Sequence, residues 1–166
     1  RKKDLGLLAM SYGHVYVAEV ALQARSSQTV DAMIEAERHR GPSLVIAHSP
    51  CIAHGYDLAK SAAQQKRAID SGVWPLYRFD PARVERGLAP LALDSGPEKI
   101  DVSKYMENEA RFRMVELRSP ERYAALVAAA REGVHQRRAL YDHLSRVHLP
   151  VEHTPAKTET TEKDHG

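Results

Sequence analysis

The sequence predicts an α/β fold, a parallel βαβ-type sheet flanked by helices with a long C-terminal helix. Three observations carry this prediction. Two short runs rich in β-branched residues, VYVAEV at 15–20 and LVIA at 44–47, bracket a segment with helical apolar spacing. Glycine and proline punctuate the runs, at Gly13, at Gly41-Pro42 and at Pro50. A helix-start signal, Ser119-Pro120-Glu121, opens a long helical pattern near the C-terminus.

Residues 4–10 (DLGLLAM) read as a short helix or turn that packs Leu5, Leu7 and Leu8, and Ser11-Tyr12-Gly13 breaks it. Residues 15–20 read as a strand. Ser26-Ser27 can cap the helix that follows, in which Val30, Met33 and Ile34 recur at helical spacing. A second strand at 43–48 completes a strand–helix–strand unit of roughly thirty-five residues, whose strands should run parallel, buried on both faces. Residues 57–71 form a second helical pattern with Leu58, Ala62 and Ile69 on one face, ended by Gly72. Residues 74–79 (WPLYRF) read as a third strand, placed at an edge because Pro75 cannot donate to a ladder. Residues 80–100, broken by Pro81, Gly87, Pro90, Gly96 and Pro97, read as a long arm or binding loop. Residues 102–118 read as one helix with Tyr105, Met106, Phe112, Val115 and Leu117 packing. The last helix runs to about residue 146, and Tyr123, Leu126, Val127, Ala130, Val134, Tyr141 and Leu144 are its packing candidates. The Thr-, Glu- and Lys-rich residues 151–166 read as a disordered tail.

A chain of 166 residues with net charge +2 is of single-domain size and carries too little charge to argue for nucleic acid. No apolar run approaches the roughly 20 residues of a membrane span, and no signal peptide is visible. One cysteine excludes an internal disulfide framework and suits a reducing cytoplasm. The first residue is Arg1 rather than Met, so the chain is expected to be a piece of something longer.

That cysteine, Cys51, follows the second strand directly. In open parallel sheets, ligands sit beyond the carboxyl ends of the strands. A thiolate there serves as nucleophile or metal ligand, while a buried free cysteine is a small hydrophobe. His48, Cys51 and His54 could supply three zinc ligands, but the spacing is not a usual zinc signature and no fourth ligand is evident. Cys51 and His54 could form a nucleophile–base pair, without an evident oxyanion hole. No G-x-S-x-G, G-x-G-x-x-G or Walker loop occurs.

Four stretches, SYGHVYVAEVAL at 11–22, EAERHRGPSLVIAHSPCIAHG at 35–55, SGVWPLYRFDP at 71–81 and LALDSGPEK at 91–99, together resemble the carboxyl-terminal part of pyruvate:ferredoxin (flavodoxin) oxidoreductase. The resemblance spans roughly residues 2–144. It implies the later half of a thiamine-diphosphate-binding domain over residues 1–118, a helical extension over 119–150 and the tail over 151–166. It further implies a cytoplasmic homodimeric enzyme that decarboxylates pyruvate on thiamine diphosphate and Mg²⁺. Electrons then pass through [4Fe-4S] clusters to ferredoxin or flavodoxin, and acetyl-CoA forms from coenzyme A. Cys51 matches the cysteine of the family's P-C-I-x-x-G stretch, and the resemblance makes it one ligand of the cluster nearest the thiamine. No Gly-Asp dipeptide is present to open the family's diphosphate and Mg²⁺ motif, and the three other cluster cysteines are absent. Those parts are expected from the rest of the parent enzyme, and this chain alone is not expected to turn over pyruvate. The alternative is a stand-alone, non-catalytic α/β interaction module without metal.

Overall fold

The computed structural model describes residues 3–150, so the expected tail at 151–166 lies outside the described residues. Helix α1 (Leu5–Met10) starts on Asp4, whose side chain accepts from the Leu7 N–H at 3.1 Å. Strand β1 (Tyr16–Val20) leads into α2 (Ser26–Arg38), then β2 (Ser43–Ala47). A 3-10 turn at Ile52–His54 and another at Leu58–Lys60 precede α3 (Ser61–Asp70). Strand β3 (Tyr77–Phe79) and strand β4 (Leu91–Leu93) flank a 3-10 helix at Pro81–Arg86. Helices α4 (Val102–Met106), α5 (Ala110–Arg118) and α6 (Pro120–Leu144) complete the chain.

The four strands form one mixed sheet in the order β2-β1-β3-β4. The expected parallel pair is present, with Tyr16 opposite Ser43 and Val20 opposite Ala47. The other pairings are antiparallel. Thus β3 is interior, not at an edge: its ladder begins at Tyr77, so Pro75 sits ahead of it and its missing N–H interrupts nothing. Residues 80–100 are likewise more than a loop, since they supply β4. The edge strands are instead β2 and β4, and the residues of β2 are half-buried or exposed, whereas β1 is buried except for the half-buried Glu19.

On one sheet face, α2 covers Tyr16, Ala18, Val20 and Val45 with Ala32 and Ala36. On the other, α1 and α6 bring Ala9, Met10 and Tyr141 onto Val17, Tyr77 and Leu91. The rings of Tyr77 and Tyr141 stack at 4.8 Å, and the Tyr141 hydroxyl donates to Asp4 at 2.8 Å. Gly6 sits within α1 because the Tyr77 hydroxyl occupies the space of a Cβ, 1.8 Å from where one would stand. Along α6, Val127, Val134 and Tyr141 are buried at seven-residue spacing, and half-buried Tyr123, Ala130, Arg137 and Leu144 alternate with them. This 3-4 spacing makes one seam along the helix, which packs at Val127 and Val134 against α3 and α4 and at Tyr141 against α1 and the sheet.

Several expected packing residues face outward. Leu5, Leu8, Val30, Met33, Ile34, Leu58, Leu117 and Leu126 are exposed, and so is Ala62. Ser26 is the first helical residue of α2, after Arg25, with no side-chain cap. The single helix expected over 102–118 is two, because Glu109 is extended in backbone and its side chain is buried.

Glu19 lies on the Tyr77 face of β1 with Oε2 buried and without a hydrogen-bond partner. Burial, seconded by Asp4 and opposed by Arg137, pushes its carboxyl up to about 8 from 4.5. The unfolded chain loses this proton near the lower value and the folded one near the higher. The contribution to stability is therefore full below the lower value, declines between the two and is flat above about 8. We expect Glu19→Gln to be more stable than the parent by of order 2–4 kcal/mol above that upper value, with the gap closing toward acid pH. Urea unfolding midpoints measured across this range check it.

Candidate functional site

The site is the turn that leaves the carboxyl end of β2. His48 N–H donates to the Val20 carbonyl at 2.9 Å, carrying the parallel ladder one residue past the strand. The same carbonyl accepts the Trp74 indole N–H at 3.1 Å, and the His48 ring packs edge-on against Trp74 at 5.2 Å. Gln65, buried on α3, donates from its amide to the His48 carbonyl at 3.3 Å and accepts from the Gln23 N–H at 3.0 Å. It therefore ties the ends of both parallel strands to one helix.

The turn's far end is equally held. Gly55 adopts φ +73°, and its carbonyl accepts from the Ala110 N–H at 3.1 Å. A Cβ at Gly55 would stand 2.6 Å from the Ala110 Cβ, so only glycine meets both the backbone geometry and the close approach. Between these anchors Cys51 is extended in backbone and half-buried, with a free thiol. It is neither sealed in the core nor fully exposed.

Beneath the turn lies a buried carboxylate, Glu109, at 0% exposure. Gln64, also fully buried, donates to it at 2.8 Å and to the Tyr105 carbonyl at 3.1 Å. Asn108 donates to the Gln64 carbonyl oxygen at 3.0 Å. Arg111 pairs with the other Glu109 oxygen, and His54 Nδ1 stands 3.8 Å from that oxygen. Burial, seconded by His54 and Arg111 and opposed by Glu109, holds the His48 imidazole below its ordinary value. Burial and Glu109 push the Tyr105 hydroxyl up to about 12.

The three residues of the zinc expectation do not converge. His48 turns to Trp74 and His54 faces Glu109. Among the described residues, no group of three or more His, Cys, Asp or Glu is placed to hold a metal ion. No hydrogen bond among them joins the Cys51 thiol to His54, so a nucleophile–base pair is not formed either. The free thiol of Cys51 is of the donor type that could hold one corner of an iron–sulfur cluster, and the other three ligands would have to come from outside this chain. The sequence holds no Gly-Asp dipeptide with which to open a diphosphate and Mg²⁺ motif.

Sequence reasoning missed Gln64, Gln65 and Glu109. A signal was available, because Ser61, Gln64, Gln65 and Ala68 form the buried helical stripe of α3. A stripe of amides at helical spacing marks a helix facing buried backbone ends rather than hydrocarbon.

Fold and site together define an α/β scaffold unit that presents a single thiol on a turn pinned at both ends. No protein-family model matches the chain. It is 52% identical over 146 residues, 88% of its length, to the pyruvate-flavodoxin oxidoreductase of Rhodospirillum rubrum. It is 46% identical over 144 residues to that of Trichormus variabilis, and 41% identical over 145 residues to the pyruvate:ferredoxin oxidoreductase of Moorella thermoacetica, 87% of the chain in both cases. The chain is homologous to a segment of these enzymes and spans about 12% of the length of the curated relatives it matches. Among the described residues, no helix is long and apolar enough to cross a membrane.

Gly55→Ala should cost roughly 1–3 kcal/mol through the positive φ and the Ala110 contact. Glu109→Ala should cost about 2–3 kcal/mol by leaving buried donors unpaired. Both should also speed alkylation of the Cys51 thiol, because each releases one anchor of its turn. Denaturant melts and timed thiol labelling check these outcomes.

Proposed function

We propose that this chain is part of a 2-oxoacid:ferredoxin/flavodoxin oxidoreductase acting on pyruvate, and that Cys51 is one ligand of a [4Fe-4S] cluster. The observation that carries the reading is the 52% identity to the Rhodospirillum rubrum enzyme over nearly the whole chain. The half-buried free thiol past a strand's carboxyl end supports the assignment to Cys51. When bound, the cluster supplies one-electron transfer from the thiamine site toward ferredoxin or flavodoxin.

The chain's own residues do the positioning. His48 and Gly55 set the two ends of the turn, and Gln65 and Glu109 brace it from beneath. Thiamine diphosphate, Mg²⁺, coenzyme A and the other three cluster ligands belong to the rest of a cytoplasmic, homodimeric parent enzyme. Residues 1–118 serve as the later half of its thiamine domain, and residues 119–150 as a helical extension. The chain by itself is inactive on pyruvate.

Anaerobic electron paramagnetic resonance on the full-length enzyme with Cys51→Ser tests the ligand assignment. One cluster signal should be lost or shifted, and pyruvate-dependent reduction of the acceptor should fall at least tenfold. Retention of every cluster signal would overturn it.

A further inference from the structure

We propose that the β2 edge and the adjoining flank of α2 form one interface, filled by a strand and a covering helix from elsewhere in the same enzyme. The inference rests on the reading of this chain as part of a larger protein, and it adds the place where the remainder joins.

The two sheet edges differ. The β4 edge is three residues long, follows Pro90 and is packed by α6. The β2 edge is five residues, Ser43–Ala47, with no charge, no proline and no bulge in its pairing with β1. Natural sheets blunt exposed edges with those devices, and an edge lacking all of them is built to be paired. Two bonds settle which amides are free. His48 N–H donates to Val20, and Tyr16 N–H donates to the Pro42 carbonyl. In a parallel ladder donors alternate, so the N–H groups of Val45 and Ala47 point away from β1. Leu44, Val45 and Ile46 are only half-buried although their residue types suit a covered strand.

The α2 flank lies on the same side. Gln28 reaches Asp94, and Glu35 reaches Arg78, so that side of α2 faces β3 and β4. At 100° per residue, Met33 lies on the opposite flank, toward the β2 edge, and Val30 and Ile34 turn from it onto the outer face of the helix. They are 52%, 52% and 43% exposed. An open hydrogen-bonding edge beneath an open apolar helix flank is the surface that a neighbouring strand and helix cover in a layered α/β sheet. The relatives' length points to the same polypeptide as the source, because the matched segment is about 12% of it.

The test is alkylation of Met33→Cys in the full-length enzyme, mapped by mass spectrometry, beside hydrogen exchange of the peptide covering 43–47 in the unsubstituted enzyme. Position 33 should react at least tenfold more slowly in the native enzyme than in urea, and the 43–47 amides should be protected at every protein concentration. Alkylation at the unfolded rate, or rapid exchange at 43–47, would overturn the interface. Protection that disappears on dilution would also overturn it, by making the cover a second copy. If Met33→Cys does not fold, the exchange measurement on the unsubstituted enzyme decides. Cluster signals are unaffected by either result, so this interface and the Cys51 assignment fail separately.

Discussion

The carbonyl of Val20 is the point on which the site depends. It closes β1, and it accepts both the His48 N–H and the Trp74 indole N–H. Each bond is worth only about 0.5–1.5 kcal/mol net. Their joint effect is geometric. They fix where β2 stops, where the chain returns after α3, and therefore where the turn bearing Cys51 begins. The parallel register of β1 and β2 would be compatible with many exits from the sheet, and this shared acceptor selects one.

From that point a polar layer carries the architecture outward. Gln65 joins the ends of β1 and β2, and Gln64 and Glu109 join α3 to the start of α5. Apolar burial does little here, since Cys51, His54 and Tyr56 are half-buried and Ile52 is 76% exposed. Buried amides and a carboxylate are costly unless each finds a partner, and the side chains of this layer find theirs in one another, in the Tyr105 and His48 carbonyls, in the Gln23 N–H and in Arg111. Such a layer is directional, which hydrocarbon packing is not. It specifies the path of the turn as well as its attachment.

The parts legible in the sequence were those in which local pattern and tertiary role agree. The β-branched run of β1, the breakers at Gly41-Pro42 and the Ser119-Pro120-Glu121 start of α6 each say locally what the fold does with them. Cys51 was legible as a position, past a strand end. The failures share a cause. Val30, Met33 and Ile34 read as a core face, and they are apolar, but the core of the described residues lies under Thr29, Ala32 and Ala36 instead. Gln64, Gln65 and Glu109 drew no reading, because they are polar and the partners that bury Gln64 and Gln65 lie 17 to 45 residues away in sequence. Pro75 misled in another way, because the rule that excludes it from a central strand applies to the ladder and the ladder starts two residues later.

These two kinds of misreading point in opposite directions, and the contrast separates what is self-sufficient in this chain from what is not. The polar layer under Cys51 is closed: the Gln64, Gln65 and Glu109 side chains are all met by groups of the same chain. The turn thus has a defined path before any further ligand or domain joins it, and ordering it costs nothing at that moment. The β2 edge and the α2 flank are open, with the outward amides of Val45 and Ala47 unpaired among the described residues and Val30, Met33 and Ile34 about half exposed. The role proposed for Cys51 would gain from this division: a ligand thiol is best positioned by its own rigid scaffold, whereas broad strand and helix surfaces tolerate being assembled from distant parts of a long polypeptide.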